Sequence, residues 1–196
     1  MSKIISITGP DGSGKSFLTY FFMDNYKGSL IHATHRENPE SGCVQHMEFI
    51  DRALSLQKWG NVVLDRNWIC TLVYENIFHD DGWRNYIDKY LDKNMDILLS
   101  RVDAHVVCIP ERNAYFKRFE ELKSERRELY TNMNDIYDAY QSLWHGVKQD
   151  KIKSKIFNEI IGKGGLKTFP GFYLYDYTND GKDMKGFIEK ILISKM

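Results

Sequence analysis

The sequence lacks the cysteine pattern of a disulfide framework or a structural zinc site. Its three cysteines, Cys43, Cys70 and Cys108, are far apart and form no Cys-x-x-Cys pair, which is typical of free thiols in a reducing compartment. The six histidines show no metal-ligand spacing either, so we interpret them as structural residues. These absences argue against a secreted, cross-linked domain and against a zinc enzyme.

The chain also has no net charge and no long hydrophobic run. Lys and Arg together number 27, as do Asp and Glu, so we expect no stable nucleic-acid partner. A zero net charge does not exclude a local basic patch. No run approaches the ~18 apolar residues that span a membrane, and no targeting segment precedes the first apolar strand. We therefore expect a cytoplasmic protein without a membrane partner, and its 196 residues suit a single domain.

One stretch near the start of the sequence carries a strong chemical pattern. An apolar strand leads into Gly9-x4-Gly14-Lys15-Ser16, and a helix with apolar residues at helical spacing follows. This is the phosphate-loop pattern in its full context: glycines let successive N–H groups surround a phosphate, and the helix N-terminus adds positive potential. The residues expected to bind the nucleotide here are Gly9, Asp11, Gly12, Ser13, Gly14, Lys15, Ser16 and Phe17.

Strands and helices are predicted to alternate along the whole chain. The first strand is expected around the alternating residues Ile4, Ile5 and Ile7, and further strands at 29–34, 61–66, 104–109 and 172–177. Helices are expected at 14–25, 42–58, 68–78, 81–100 and 111–148, a short helix and a loop in 150–171, and a last helix that opens at 179–181 and runs to about 195. We predict a P-loop NTPase fold in which a five-stranded parallel sheet, in the order 2-3-1-4-5, has helices on both faces. Residues 1–196 are then expected to form one P-loop domain, with a helical lid at about 112–130.

Candidate site residues follow the predicted strands, because ligands of such sheets bind beyond the carboxyl ends of the strands. Gly9, Arg36, the pair Asp65-Arg66 and Glu111 all occupy such positions and are expected to converge. Asp65 and the Ser16 hydroxyl are candidate Mg²⁺ ligands, Lys15 would reach the donor phosphates, and Arg66 suits an acceptor phosphate. The alternative for Asp65 is a strand-end carboxylate paired with Arg66.

A second candidate pair lies on the predicted helix 42–58. Phe49 and Arg52 are three residues apart and share a helix face. A nucleobase needs a ring to stack on and a polar group at its edge, which these two side chains could supply. The alternative is a core phenylalanine beside a solvated arginine.

Several of these segments resemble motifs of the thymidylate kinase family. The loop from Gly9 to Ser16 is similar to that family's Gly-x-Asp-x-x-Gly-Lys-Ser/Thr loop, and the segment from Thr34 to Pro39 is similar to its Thr-Arg-Glu-Pro segment. The segment 49–53 resembles Phe-x-Ala-Asp-Arg-Ala with a spacing difference of one residue, and Asp65-Arg66 followed by Val73-Tyr74 resembles Asp-Arg-Tyr followed by Ala-Tyr. The resemblance spans most of 3–130 and 172–195.

The resemblance implies a role for each matching position. It implies an ATP- and Mg²⁺-dependent enzyme that phosphorylates deoxythymidine monophosphate and forms a homodimer. Asp11 would accept a hydrogen bond from the acceptor sugar, Phe49 would stack on the base, and Tyr74 would press on the sugar. Arg52 would bind the base edge, and Arg66 and Arg36 the acceptor phosphate.

The charged stretch after the fourth strand matches the position of the lid in this fold. Its arginines are Arg118, Arg126 and Arg127. The pair at 126–127 is similar to the family's Asp-Arg-x-Glu lid pattern, which implies arginines that close over the transferring phosphoryl group. The alternative is a solvated helix face with i, i+4 ion pairs.

Departures from the family pattern leave the identity of the acceptor undetermined, and two of them lie just after Arg66. Asn67 stands where the family usually has Tyr or His, and Cys70 where it often has Ser, so the preferred base could differ from thymine. One alternative function is a deoxynucleoside kinase, in which Glu37 would take the proton from a 5′-hydroxyl. Another is a regulatory module that binds a nucleotide and hydrolyses it slowly.

Overall fold

Strands and helices alternate along the chain in the computed structural model, which describes residues 2–33, 39–79, 81–121 and 132–193. The strands are β1 (Ile4–Thr8), β2 (Gly28–His32), β3 (Asn61–Asp65), β4 (Ala104–Cys108) and β5 (Phe172–Tyr175). The helices are α1 (Lys15–Tyr26), α2 (Pro39–Leu56), α3 (Trp68–Phe78), α4 (Asp81–Ser100), α5 (Arg112–Glu121), α6 (Met133–His145), α7 (Lys155–Gly162) and α8 (Met184–Ile193). Short 3₁₀ turns cover Leu166–Thr168 and Asp180–Asp183.

The five strands form one parallel sheet in the order β2-β3-β1-β4-β5, which confirms the predicted topology of a P-loop NTPase fold. All four strand pairs are parallel, so every strand ends at the same edge of the sheet. In this register Asp65 lies beside Ile7 on one side and beside His32 on the other. The ends of β1, β2 and β3 therefore meet next to the loop that follows β1.

Alternate residues of the strands pack into two separate cores, one on each face of the sheet. On one face Ile5, Ile7 and Val63 pack with α1 and α8. On the other face Ile4 and Leu64 pack with α2, α3, α4, α6 and α7. Because both faces are covered, β1, β3 and β4 are mostly apolar, as parallel strands generally are, with a few buried polar residues such as Ser6, Thr8 and His105.

Several element boundaries differ from the sequence-based predictions. Strand β2 ends at His32 rather than at 34, and β5 ends at Tyr175 rather than at 177. Helix α2 begins at Pro39 rather than at 42. A proline is tolerated in the first turn of a helix because the N–H that it lacks would have no partner within the helix.

The predicted helix over 111–148 is represented by two helices in the described residues. These are α5 and α6, and residues 122–131 between them lie outside the described residues. Tyr137, Tyr140 and Trp144 on α6 are buried, as predicted from their helical spacing. Helix α7 and the turn at Leu166–Thr168 confirm the expected short helix and loop between 150 and 171.

The three cysteines are buried free thiols, as expected. Within the described ranges, no helix is both long and apolar enough to cross a bilayer. The same residues contain no group of three or more His, Cys, Asp and Glu side chains arranged around a common metal position.

Candidate active site

The loop between β1 and α1 follows a path that only glycine permits at its first position. Gly9 has a φ of +148°, and a Cβ there would lie 2.3 Å from the carbonyl oxygen of Cys108 and 2.7 Å from Ser13 Oγ. Gly12 and Gly14 also have positive φ angles, 81° and 88°. Helix α1 begins directly after Gly14, so its free N–H groups face the loop, as anion binding at a helix N-terminus requires.

Lys15 is buried against the loop that precedes it. Its side chain donates hydrogen bonds from Nζ to the carbonyl oxygens of Gly9 at 2.9 Å and Pro10 at 2.7 Å. Asp11 Oδ1 lies 3.8 Å from the same nitrogen. A cation is therefore held within the loop, where it can neutralise a phosphate oxygen.

The end of β3 is joined to this loop through an ion pair between two predicted acceptor-site residues. Arg66 Nη2 donates to Asp11 Oδ1 at 3.2 Å. Arg66 has a φ of +75°, which is uncommon for a residue other than glycine, and its backbone N–H donates to the carbonyl oxygen of Ile7 at 2.9 Å. The sharp turn after Asp65 thus brings this guanidinium back to the loop.

Two tyrosines complete the surroundings of Asp11. The Tyr115 hydroxyl on α5 donates to the Asp11 carbonyl oxygen at 2.8 Å. The Tyr74 hydroxyl on α3 is buried and has no hydrogen-bond partner among the described residues. Burial raises the pKa of Tyr74 well above its ordinary value, and the negative charge of Asp11 raises it further. The structure therefore brings together Asp11, Arg66 and Tyr74, while Tyr115 is a contact that the sequence reasoning missed.

Asp65, the last residue of β3, is buried, and one of its oxygens is already bound. Its Oδ2 lies 2.7 Å from Nδ1 of His32, the last residue of β2. Its Oδ1 is buried and has no hydrogen-bond partner within the described part of the chain. A carboxylate oxygen is a ligand that Mg²⁺ prefers, and an orphaned one at this strand end fits the predicted metal role. Ser16, the other predicted ligand, is exposed in the first turn of α1.

The contact with His32 was not foreseen, and the alternative pairing of Asp65 with Arg66 is not what the structure shows. Arg66 pairs with Asp11, and Asp65 pairs with His32. The signal in the sequence was the position of His32 near the end of a predicted strand, where ligands of parallel sheets bind. The strand register that brings it to Asp65 cannot be derived from spacing.

Phe49 and Arg52 have different surroundings on α2. Phe49 is partly buried against the core and lines a narrow cleft together with Arg66 and Trp68. Arg52 is exposed and does not line this cleft. The structure therefore brings Phe49, but not Arg52, into one cleft with Arg66, a predicted acceptor residue.

Asn67, where the family usually has Tyr or His, serves as the N-cap of α3. Its Oδ1 accepts from the backbone N–H of Ile69 at 2.9 Å, and its Nδ2 donates to Ser6 Oγ at 2.8 Å. Ser6 Oγ in turn lies 2.8 Å from Nδ1 of His105. These contacts give Asn67 a structural role at the start of the helix that follows Arg66.

Arg118 on α5 lies on the β5 side of the loop. Its guanidinium carbon is 5.2 Å from the centre of the Tyr177 ring. A Cβ at Gly14 would lie 3.2 Å from Cδ1 of the same tyrosine, so Tyr177 connects Arg118 to the loop. Phe17 is exposed in the first turn of α1. The other predicted residues of the lid and of the segment after β2, Arg126, Arg127, Arg36 and Glu37, lie outside the described residues.

Comparison with known proteins supports the fold assignment. No protein-family model matches the chain, and no curated protein matches it by sequence. Several solved structures do match it over nearly their full length. They share its fold. YorR from Bacillus subtilis, solved in complex with phosphorylated GDP, has a TM-score of 0.57 at 15% identity, covering 98% of this chain and 99% of the other.

Two nucleotide-metabolising kinases are also similar in structure. Deoxyadenosine kinase from M. mycoides has a TM-score of 0.54 at 15% identity, covering 96% of this chain and 97% of the other. Thymidylate kinase from Candida albicans has a TM-score of 0.50 at 16% identity, covering 97% and 91%. At this level of identity the similarity establishes the fold of this chain.

Proposed function

We propose that the protein is an ATP-dependent nucleoside monophosphate kinase and that its acceptor is a deoxynucleoside monophosphate, with dTMP the first candidate. The observation that carries this proposal is the 3.2 Å contact between Arg66 and Asp11. It places a guanidinium, which can grip phosphate oxygens in two-pronged fashion, beside the loop that would hold the donor phosphates. The similar fold of the thymidylate kinase and deoxyadenosine kinase structures supports this assignment.

The chemistry would depend on positioning and on charge neutralisation rather than on a strong base, because the acceptor is already an anion. Lys15 would neutralise the transferring phosphoryl group from within the loop. Arg66 would hold the acceptor phosphate, and Asp11 would orient that guanidinium and contact the acceptor sugar. Arg118 would bind ATP from the β5 side, and Arg126 and Arg127 would close over the phosphates.

The donor would be the magnesium complex of ATP. Bound Mg²⁺ supplies positive charge to the β- and γ-phosphate oxygens. Asp65 and Ser16 are the residues proposed to hold it, and the buried Asp65 oxygen without a partner supports this choice. Removal of the metal by a chelator should therefore stop turnover without unfolding the protein.

The same proposal includes a cytoplasmic homodimer. Val44 on α2, Phe78 on α3 and Tyr86 on α4 are exposed apolar side chains, and a second copy could cover them. Light scattering coupled to size-exclusion chromatography would give the mass in solution. A single species at the mass of one chain would contradict the dimer.

An acceptor panel tests the proposed function. ADP release is measured with ATP and a series of nucleosides, deoxynucleosides and their monophosphates. We expect turnover with deoxynucleoside monophosphates, fastest with dTMP. Turnover with nucleosides alone would instead favour a deoxynucleoside kinase, and ATP hydrolysis independent of any acceptor would favour a regulatory module. At an acceptor concentration near the wild-type KM, the Arg66→Ala variant should turn over much more slowly than the wild type, and the exposed Arg101→Ala should retain the wild-type rate.

A further inference from the structure

The side chains of His32 and Asp65 meet because two neighbouring strands end in register. His32 and Asp65 are direct partners in the pairing of β2 with β3, and each is the last residue of its strand. Directly paired residues point to the same face of a sheet. The resulting distance between Nδ1 and Oδ2 is 2.7 Å.

The chemistry of the pair defines which atom is the donor. An ionised carboxylate can only accept hydrogen bonds, so His32 Nδ1 carries the proton and donates it to Asp65 Oδ2. This bond fixes the rotation of the carboxylate and occupies one of its two oxygens. Oδ1 remains, buried and without a hydrogen-bond partner among the described residues.

Asp65, which carries this oxygen, lies beside the strand that leads into the phosphate loop. Ile7, two residues before Gly9, is the partner of Asp65 in the sheet. Cys108, whose carbonyl oxygen lies beneath Gly9, has a pKa that burial raises, that Lys15 lowers and that Asp65 raises. The charges of Lys15 and Asp65 therefore act on the same thiol from nearby positions.

We propose that His32 is a positioning residue for Asp65: it holds Oδ2 so that Oδ1 is presented to the divalent cation bound with the nucleotide. This inference rests on the proposed function, because it takes Asp65 as a ligand of that cation. Partners that orient a metal ligand in this way typically contribute 10- to 100-fold in metal affinity. If the hydrogen bond between His32 and Asp65 only held the ends of β2 and β3 together, it would contribute to the stability of the fold, and its loss would leave the metal affinity unchanged.

The test measures metal affinity separately from turnover. Binding of Mn²⁺ to the protein with ADP is followed by electron paramagnetic resonance in the wild type and in His32→Asn and His32→Gln. The Asn amide can place an N–H near the position of Nδ1, whereas the longer Gln amide places it near the position of Nε2. We expect His32→Asn to bind Mn²⁺ within about threefold of the wild type, and His32→Gln to bind it about 10-fold or more weakly.

Two further variants complete the design. His32→Ala should bind Mn²⁺ as weakly as His32→Gln, and the exposed His145→Ala should match the wild type. The Mg²⁺ concentration for half-maximal rate should rise about 10-fold in His32→Ala while kcat at saturating Mg²⁺ changes less than about threefold. Circular dichroism verifies that each variant is folded.

The outcomes separate this inference from the proposed function. His32→Ala and His32→Gln with wild-type affinity for Mn²⁺ would overturn the inference, and so would His32→Asn binding as weakly as His32→Ala. Asp65→Ala is the reference variant. If it binds Mn²⁺ as tightly as the wild type, Asp65 is not a ligand, and the metal assignment in the proposed function fails as well. If only Asp65→Ala weakens binding, the proposed function stands and His32 has no positioning role.

Discussion

Arg66 at the end of β3 donates a hydrogen bond to Asp11 in the phosphate loop at 3.2 Å, across 55 positions of sequence. The contact joins the predicted donor site to the predicted acceptor site, since Asp11 belongs to the loop after β1 and Arg66 follows β3, the strand next to β1. Two of the side chains that would handle the acceptor are thus held together before any ligand binds. A preorganised pair of this kind loses less conformational freedom when substrate arrives.

A double-mutant cycle measures the coupling between Asp11 and Arg66. Asp11→Ala should raise the KM for the monophosphate acceptor about 10-fold, and Arg66→Ala should raise it further. The double variant should be no worse than Arg66→Ala, so the coupling equals the whole tenfold effect of Asp11→Ala, which is about 1.4 kcal/mol. Steady-state kinetics at saturating ATP provide the values, and strictly additive effects would show that the two side chains act independently.

Lys15→Met should remove phosphoryl transfer and leave the fold intact. The ammonium group is held in the loop by the carbonyl oxygens of Gly9 and Pro10, and methionine has a similar length without the charge. Loss of a preorganised cation at the transition state should lower kcat by about 100-fold or more. The matched control is Lys153→Met, which changes an exposed lysine. Robust turnover in Lys15→Met would contradict the assignment of the loop.

Gly9→Ala should destabilise the protein as well as the nucleotide site. A Cβ would lie 2.3 Å from the backbone oxygen of Cys108 at a φ of +148°, so the loop has to move away from β4. We expect a loss of about 1–3 kcal/mol in the free energy of unfolding, measured by urea denaturation. Gly42→Ala is the control: a Cβ there contacts nothing within 4 Å, and in helix α2 alanine should stabilise the protein by about 1 kcal/mol.

Phe49→Ala should impair the acceptor site more than Arg52→Ala. Phe49 lines the cleft with Arg66, whereas Arg52 is exposed. We expect Phe49→Ala to raise the acceptor KM about 10-fold and to lower the melting temperature, because the ring also packs on the core. Arg52→Ala should change the acceptor KM less than about threefold. A larger rise in the acceptor KM for Arg52→Ala than for Phe49→Ala would show that α2 presents Arg52 to the base, as the family resemblance implies.

Stability should fall in acid partly because of His105. Burial lowers the pKa of His105 to about 3, below its ordinary value of about 6.5. The unfolded chain therefore binds a proton that the folded chain does not, and stability is lost as the pH falls below about 6.5. At pH 4.5 this amounts to about 3 kcal/mol.

The variant His105→Phe removes this titration. It keeps an aromatic ring against Phe172, with which His105 stacks at 4.5 Å, and Ser6 Oγ keeps its bond from Asn67. The difference in unfolding free energy between pH 7 and pH 4.5 should therefore be smaller in the variant than in the wild type. If the unfolding free energy changes by the same amount between pH 7 and pH 4.5 in both proteins, His105 takes up its proton in the folded state as readily as in the unfolded chain.

The sequence by itself determined the fold class, the order of the elements and the position of the phosphate loop. These follow from local signals: the apolar period of strands and helices, and a loop whose glycines are required by its own backbone path. Asp65-Arg66 could be placed in the site because the carboxyl ends of parallel strands share one edge of the sheet.

Only the tertiary structure decided how the site side chains pair. The register between β2 and β3 brings His32, rather than Arg66, to Asp65, and the positive φ of Arg66 turns its guanidinium to Asp11. The rotation of α2 buries Phe49 in part and exposes Arg52, although their spacing of three residues predicts a shared helix face. Strand register, helix rotation and a left-handed turn are set by packing between elements distant in sequence, and spacing along the chain does not encode them.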